Sequence, residues 1–288
     1  MTANEAAAAI LADPADTAAA REALYKDLHR HPELSKEDHR TSGIIADELA
    51  RMGVEDIPIG VTGRVGVIRN GDGRVVAMRA DFDALPMDEE SGVDYASVNP
   101  GVAHSCGHDV HVTALPGEEA GAGARDMEDA GIVDKLPKPD VAFAQHVMGT
   151  IPGGAIGTRR GPVLTTASSI EITVHGAGAH GSMPNLGAAI VGRLQTIVCR
   201  EVAPTDTAVV TVGSFHGGTK SNIIPDAFGT PYCYWGLGGF ADMDSAPGNH
   251  SPKFAPDIQP TLDRGAQAIV VAASAWLAAD RPAKPAGR

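Results

Sequence analysis

Residues 75–83, Val-Val-Ala-Met-Arg-Ala-Asp-Phe-Asp, combine a short β-rich run with two carboxylates directly after it. In open α/β sheets, ligand sites gather at the carboxyl ends of the strands. A second β-rich run precedes it at residues 65–68, and Asn-Gly-Asp-Gly at residues 70–73 is a strong hairpin signal. We therefore predict a hairpin whose second strand leads into a site at Asp81 and Asp83.

Helical patterns lie on both sides of this hairpin. Apolar periodicity predicts helices at residues 17–31 and 37–52, with Gly53 as the C-terminal cap of the second, and a last helix at residues 266–277. Between them, residues 170–215 show a strand, a glycine-rich loop, a helix and another strand. The chain is therefore predicted to have an α/β fold with a small separate unit.

Composition excludes several classes of function. The chain has 288 residues, 43% of them hydrophobic, which is enough for a sizeable core. A formal net charge of −13 argues against nucleic-acid binding, and no basic amphipathic helix suggests a membrane surface. The longest apolar stretch, residues 266–279, is too short to span a bilayer. The first residues have no signal-peptide pattern and the chain has only three cysteines, which favours a reducing cytoplasm.

The densest group of reactive side chains is His104-Ser105-Cys106-Gly107-His108-Asp109-Val110-His111. If this segment is extended, alternate side chains share a face, which puts His104, Cys106 and His108 together. Thiolate and imidazole both suit zinc and neighbouring transition metals, and Asp109 would bind the metal or orient a ring. The alternative is a polar loop with an ordinary buried cysteine.

Other candidate residues depend more on their context. Glu118 and Glu119 follow His111 closely, so one carboxylate could bind a metal while the other takes a proton from its water. His146, His180 and His250 are isolated histidines, which are more often structural than ligating. The chain has no G-x-S-x-G elbow, no Walker-type loop and no dinucleotide-binding fingerprint.

Taken together, these motifs resemble one family. The motifs, in order, are Leu28-His29-Arg30-His31-Pro32-Glu33-Leu34-Ser35, Arg79-Ala80-Asp81-Phe82-Asp83-Ala84-Leu85-Pro86, Cys106-Gly107-His108-Asp109, Glu118-Glu119, His146, His180-Gly181-Ser182-Met183-Pro184, Asn222-Ile223-Ile224-Pro225-Asp226 and Asn249-His250-Ser251-Pro252. They are similar to those of the hippurate hydrolase and indole-acetyl-amino-acid hydrolase branch of the aminoacylase/carboxypeptidase metallohydrolases. The resemblance covers nearly the whole chain from about residue 20.

The resemblance implies hydrolysis of N-acyl or N-aroyl amino acids with two divalent metal ions, which are Mn, Zn, Ni or Co in such proteins. The metal ligands that it implies are Cys106, His108, Glu119, His146 and His250. It assigns Glu118 as the general base and Asp81 as the residue that orients the site. His180 would steady the oxyanion across a dimer, and Asn222 would lie near the substrate carboxylate.

The implied architecture is a catalytic mixed-sheet α/β domain with an inserted α/β satellite domain that mediates homodimerisation. The catalytic domain would comprise residues 1–163 and 231–288, and the satellite residues 164–230. Both are shorter than in the family, because blocks are absent after His111 and after Asp226. Two alternatives stay open: a metal-binding or dimerising remnant with impaired catalysis, and a chain that does not fold stably alone.

Overall fold

The computed structural model describes residues 2–11, 15–111, 123–160 and 230–278. Within these ranges the helices are α1 (Ala3–Leu11), α2 (Ala15–Arg30), α3 (His39–Arg51), α4 (His108–His111), α5 (Gly123–Asp129), α6 (Ile132–Lys135) and α7 (Ile258–Leu277). The strands are β1 (Glu55–Ile59), β2 (Gly63–Val67), β3 (Val76–Arg79), β4 (Val141–Pro152), β5 (Ile156–Gly157) and β6 (Tyr232–Phe240).

A four-stranded mixed sheet, in the order β3-β4-β6-β5, forms the framework. Strands β3, β4 and β6 are parallel, and β5 runs antiparallel to β6. Along β4, buried and partly buried residues alternate as expected for a sheet with one face on the core. The combination of a mixed sheet and packed helices confirms the predicted α/β fold class.

The register of β3 on β4 brings two parts of the chain together at one end of the sheet. Arg79, the last residue of β3, pairs with Ala144 of β4. Since the strands are parallel, Asp81 and Asp83, which follow Arg79, leave β3 at the same end of the sheet at which His146 lies in β4. The prediction that a strand delivers two carboxylates to the carboxyl end of the sheet is confirmed.

The predicted hairpin is wrong. Strand β2 pairs with β1, with Glu55 opposite Val67 and Ile59 opposite Gly63, in a separate two-stranded antiparallel sheet. Strand β3 instead joins β4 in the larger sheet. The glycine-rich turn at 70–73 therefore connects two sheets. A turn signal shows where a chain can reverse, but it does not determine which strand the next segment pairs with.

Three predicted helices are present as α2, α3 and α7 with shifted ends, whereas α1, α4, α5 and α6 were not predicted. Helix α3 is His39–Arg51, and Gly53 follows it with φ +68°, as expected for a C-terminal cap. Helix α7 begins at Ile258, eight residues before the predicted start, because its first turns pack on the sheet through Leu262 and Gly265. No helix within the described ranges is long and apolar enough to cross a membrane.

Among the residues that the structure describes, two apolar clusters form the core. One comprises Tyr25, Val110, Val147, Leu237, Phe240, Phe254 and Leu262. The other comprises Val141, Phe143 and Trp235, with partly buried residues of α7 packed against it. The first cluster includes Val110, so the segment that carries the cysteine and histidine motif is anchored in the core.

The described residues belong to the first of two units, Met1–Ser168 with Ser221–Arg288, and the second unit is Ser169–Lys220. The predicted satellite domain, residues 164–230, lies outside the described residues except for Thr230. The predicted domain bounds and the predicted dimer therefore stay predictions.

Candidate metal centre

A tight turn, rather than an extended strand, presents the cysteine and histidine motif. Gly107 has φ +79°, its N–H donates to the carbonyl of His104 at 3.3 Å, and helix α4 begins at His108. The expected alternation of His104, Cys106 and His108 on one face is therefore wrong. The ring of His104 packs 6.3 Å from the ring of His29. Burial lowers the pKa of His104 to about 4, so it is neutral.

Cys106, His108 and His146 come together at the carboxyl end of the sheet. One donor atom from each lies within 4.8 Å of the others. Within the described parts of the chain, no other three His, Cys, Asp or Glu residues are grouped closely enough to hold a metal ion. The Cys106 Sγ and the His146 Nε2 are 3.5 Å apart. Bonds of about 2.3 Å to sulfur and about 2.0 Å to nitrogen at a tetrahedral angle place the two ligands about 3.5 Å apart. The spacing therefore fits one shared metal ion.

The tautomers of both histidines suit metal binding. The Nδ1 of His146 lies 2.8 Å from the carbonyl oxygen of Val147, and the Nδ1 of His108 lies 3.0 Å from the carbonyl oxygen of Asp83. Since a carbonyl oxygen only accepts, each Nδ1 carries the hydrogen. In the neutral form of each ring the lone pair is then on Nε2, and in His146 this is the atom that faces Cys106.

Electrostatics around the two rings differ. Burial, together with the neighbouring His111 and His108, lowers the pKa of His146 to about 3, so this ring is neutral and able to bind a metal. Burial also lowers the pKa of His108, but Asp81, Asp83 and Cys106 outweigh it and raise the pKa well above its ordinary value. The same negative groups that favour a proton on His108 favour a divalent cation beside it.

Two buried carboxylates, Asp83 and Asp81, accept hydrogen bonds from histidines of the candidate metal centre. Asp83 accepts from the Nδ1 of His108 through Oδ1 at 3.0 Å and from the hydroxyl of Ser35. Asp81 accepts from the Nδ1 of His111 and pairs with Arg79 at 3.1 Å. Carboxylates that orient ligating histidines in this way raise the basicity of the ligand. The structure thus places Asp83 against His108, and Asp81 against His111.

His111 is a supporting residue in this arrangement. Its Nδ1 donates to Asp81, and its Nε2 accepts from the backbone N–H of Val147 at 2.9 Å. Its ring lies 4.7 Å from the ring of His146, centroid to centroid. Because its lone pair already accepts a hydrogen bond, His111 fixes the backbone next to His146.

Asn249 holds the cysteine loop to the sheet. Its side-chain amide donates to the carbonyl oxygens of Val147 at 2.9 Å and Cys106 at 3.3 Å, and lies 3.8 Å from the Sγ of Cys106. Its Oδ1 accepts from the N–H of Gly149 at 3.1 Å. These hydrogen bonds tie the loop of Cys106 to β4 directly beside His146. The sequence predicted a site at Asp83 but gave it no partner, and Asn249 was not predicted, although it lies within the quoted motif at residues 249–252.

The other predicted site residues are placed differently or lie elsewhere. His250 has an exposed side chain and φ +66°, and its backbone N–H donates to the carbonyl of Ser105 at 2.7 Å. It lies beside the cysteine loop but outside the three-residue group defined within the described residues. Glu118, Glu119, His180 and Asn222 lie outside the described residues.

Known proteins share both sequence and fold with this chain. The model of peptidase family M20/M25/M40 matches residues 109–275. Thermostable carboxypeptidase 2 from Saccharolobus solfataricus is 36% identical over 238 residues, which cover 70% of this chain and 60% of that protein. N-acyl-L-amino acid amidohydrolase from Geobacillus stearothermophilus is 34% identical over 236 residues, which cover 70% of this chain and 63% of that protein. The chain thus spans less than two thirds of the length of these relatives.

A solved structure adds a comparison of the fold. It is that of a Bacillus subtilis protein described as a dinuclear metal binding peptidase from the M20 family. The two structures have a TM-score of 0.64 at 21% sequence identity, and the match covers 91% of this chain and 98% of that chain. The comparison shows a common fold.

Proposed function

Because the chain belongs to peptidase family M20/M25/M40, we propose that it is a metal-dependent amidohydrolase that cleaves the amide bond of N-acyl or N-aroyl amino acids. The observation that carries the proposal is the group of Cys106, His108 and His146, whose donor atoms are spaced as ligands of a metal. The name of the amidohydrolase relative supports the substrate class.

The proposed metal centre holds two divalent ions, Mn, Zn, Ni or Co. Cys106, His108 and His146 bind them together with Glu119 and His250. His250 lies close to this loop, because its backbone is bonded to Ser105, the neighbour of Cys106. When bound, the metal ions supply a water nucleophile at neutral pH, since a metal lowers the pKa of bound water to about 7 in favourable cases.

The remaining roles belong to residues of the chain itself. Glu118 accepts the proton of the attacking water and delivers it to the leaving amine. His180 donates a hydrogen bond to the carbonyl oxygen as charge develops there, and Asn222 contacts the carboxylate of the substrate. Asp81 and Asp83 keep His111 and His108 in the tautomers that the centre requires.

Hydrolysis of a panel of acyl amino acids, hippurate among them, tests the proposal. We expect release of free amino acid, stimulated by a divalent cation and abolished in Glu118→Gln. Glu128→Gln is the matched control, since Glu128 is an exposed residue of α5 and its loss should leave turnover unchanged. A folded protein that binds two metal ions but hydrolyses no member of the panel would contradict the proposed activity.

The second candidate function is a metal-binding or dimerising remnant with impaired catalysis. The observation that favours it is length, because the chain spans only 60% and 63% of two relatives that it matches. It predicts that the protein binds metal or forms a dimer but shows no turnover. Measurable turnover that disappears in Glu118→Gln would exclude it.

A further inference from the structure

We propose that His29 is a positioning residue for the candidate metal centre, which it reaches through Asp109, the neighbour of His108. The inference rests on the metal centre proposed above. His29 contacts none of the three grouped ligands in the described structure, and its role follows from the buried network that surrounds it.

His29 bridges two carboxylates from different segments. It lies in the last turn of α2 and is fully buried. Its Nδ1 is 2.6 Å from Asp109 Oδ2, and its Nε2 is 3.0 Å from Glu89 Oε1. Burial lowers the pKa of His29, but Asp109 and Glu89 outweigh it and raise the pKa to about 10. Both nitrogens therefore donate, and the ring is a cation held between two anions.

Neighbouring rings fix the position of this cation. The ring of His29 lies 5.6 Å from that of Tyr25 and 5.2 Å from that of Tyr95, centroid to centroid. Tyr25 and Leu28 of the same helix are almost completely buried. Helix α2 is thus a firmly packed support, and its last turn presents the imidazole in one orientation.

The two carboxylates depend on His29 to different degrees. Glu89 also accepts from the backbone N–H of Ser97 at 2.6 Å and from the hydroxyl of Ser91. Asp109 is fully buried, and its Oδ1 has no hydrogen-bond partner among the described residues. Without His29, Asp109 becomes an unpaired buried charge, which is strongly unfavourable, whereas Glu89 keeps other donors.

The consequence falls on His108, because Asp109 is the next residue of α4. Asp83 holds the ring of His108, while the pair of His29 and Asp109 holds the backbone beside it. A rearrangement of Asp109 therefore shifts the donor atom of His108 relative to Cys106. Loss of a residue that orients a ligand in this way costs roughly 10- to 100-fold in metal affinity.

Zinc affinity, measured by competition with a chromophoric chelator on the full chain, tests the inference. We expect His29→Gln to weaken zinc binding roughly 10- to 100-fold. His31→Gln is the matched control: His31 is at the same end of α2 and its Nδ1 donates to the carbonyl of Asp27 within that helix. Both His31→Gln and Glu89→Gln should stay within about threefold of the unaltered protein. A purely structural role would lower the melting temperature of His29→Gln and leave the zinc affinity of the folded protein unchanged.

Asp109→Asn is a second test of the inference that His29 acts on the metal centre through Asp109. It keeps the shape of the side chain but weakens the charged hydrogen bond to His29 that holds the backbone beside His108, so it should also weaken zinc binding. An unchanged affinity in either folded variant overturns the inference, as does failure of both to fold in the presence of zinc. If the unaltered protein binds zinc and hydrolyses substrate while His29→Gln binds equally well, only the positioning role is lost. If the unaltered protein binds no zinc, the metal centre itself is refuted.

Discussion

The replacement Gly107→Ala should disrupt the candidate metal centre, because two effects add at this position. Gly107 has φ +79°, a region that costs an L-residue with a side chain about 1–2 kcal/mol. A Cβ there would also lie 2.3 Å from Cγ1 of Val147 and 3.0 Å from Cε1 of Phe254. Val147 and Phe254 are fully buried, and a valine side chain has little rotamer freedom, so neither can move aside. Such overpacking costs about 1–3 kcal/mol.

Gly101→Ala is the matched control for the backbone effect alone. Gly101 has φ +75°, and a Cβ there would meet nothing within 4 Å. We expect urea unfolding of the metal-free protein to show a loss of about 1–2 kcal/mol for Gly101→Ala. The loss for Gly107→Ala should be about 2–5 kcal/mol, the sum of both effects. Zinc affinity should fall in Gly107→Ala alone, because this residue joins Cys106 to His108.

A double variant separates the packing effect further. Val147→Ala removes the Cγ1 atom that the new Cβ would meet, so Val147→Ala should cost less in the Gly107→Ala background than in the unaltered protein. Equal losses of stability in Gly107→Ala and Gly101→Ala, with zinc affinity retained in both, would refute the reasoning about this turn.

Three further predictions follow from the same structure. Because the pKa of His29 is raised to about 10 in the folded protein, protonated His29 stabilises the fold fully below pH 6.5, and this stabilisation is lost as pH rises towards about 10. At about 1.36 kcal/mol per pH unit, it contributes at most about 5 kcal/mol to the free energy of unfolding. Denaturant unfolding at several pH values should show that this pH dependence disappears in His29→Gln. Phe254→Ala should cost about 3–5 kcal/mol in the same assay, because Phe254 is completely buried, whereas the exposed Met243→Ala should change stability by about 0.5 kcal/mol or less; equal effects would contradict the assigned core. Zinc at about 100 times its dissociation constant should stabilise the protein by about 2.7 kcal/mol, and a chelator should reverse this in thermal melting; a melting temperature indifferent to both would argue against a metal centre in the folded chain.

Patterns within short stretches of the sequence predicted those parts of the fold that depend on neighbouring residues. The α/β class, the helices α2, α3 and α7, and the carboxylates after β3 were predictable, because periodicity and capping depend on neighbouring residues. The family resemblance inferred from the ordered motifs is also confirmed by the known relatives. The pairing of β3 with β4 was not predictable, because residues 76–79 and 141–144 are far apart in the chain and meet only through tertiary packing.

In the candidate site, too, some features could be predicted from one segment of sequence and others depend on tertiary packing. Cys106 and His108 are neighbours in sequence, so their chemistry could be recognised directly. The left-handed turn at Gly107 could not, and it moves His104 away from the group expected from alternation. Asp83 and Asn249 gain their roles only when β3, β4 and the loop before α7 meet, which no pattern in one segment encodes.

The most direct test of the central claim is an anomalous-scattering crystal structure of the zinc-loaded protein. The account predicts zinc bonded to the Sγ of Cys106 at about 2.3 Å and to the Nε2 atoms of His108 and His146 at about 2.0 Å. Zinc bound elsewhere on the protein, with these three side chains free of metal, would contradict it.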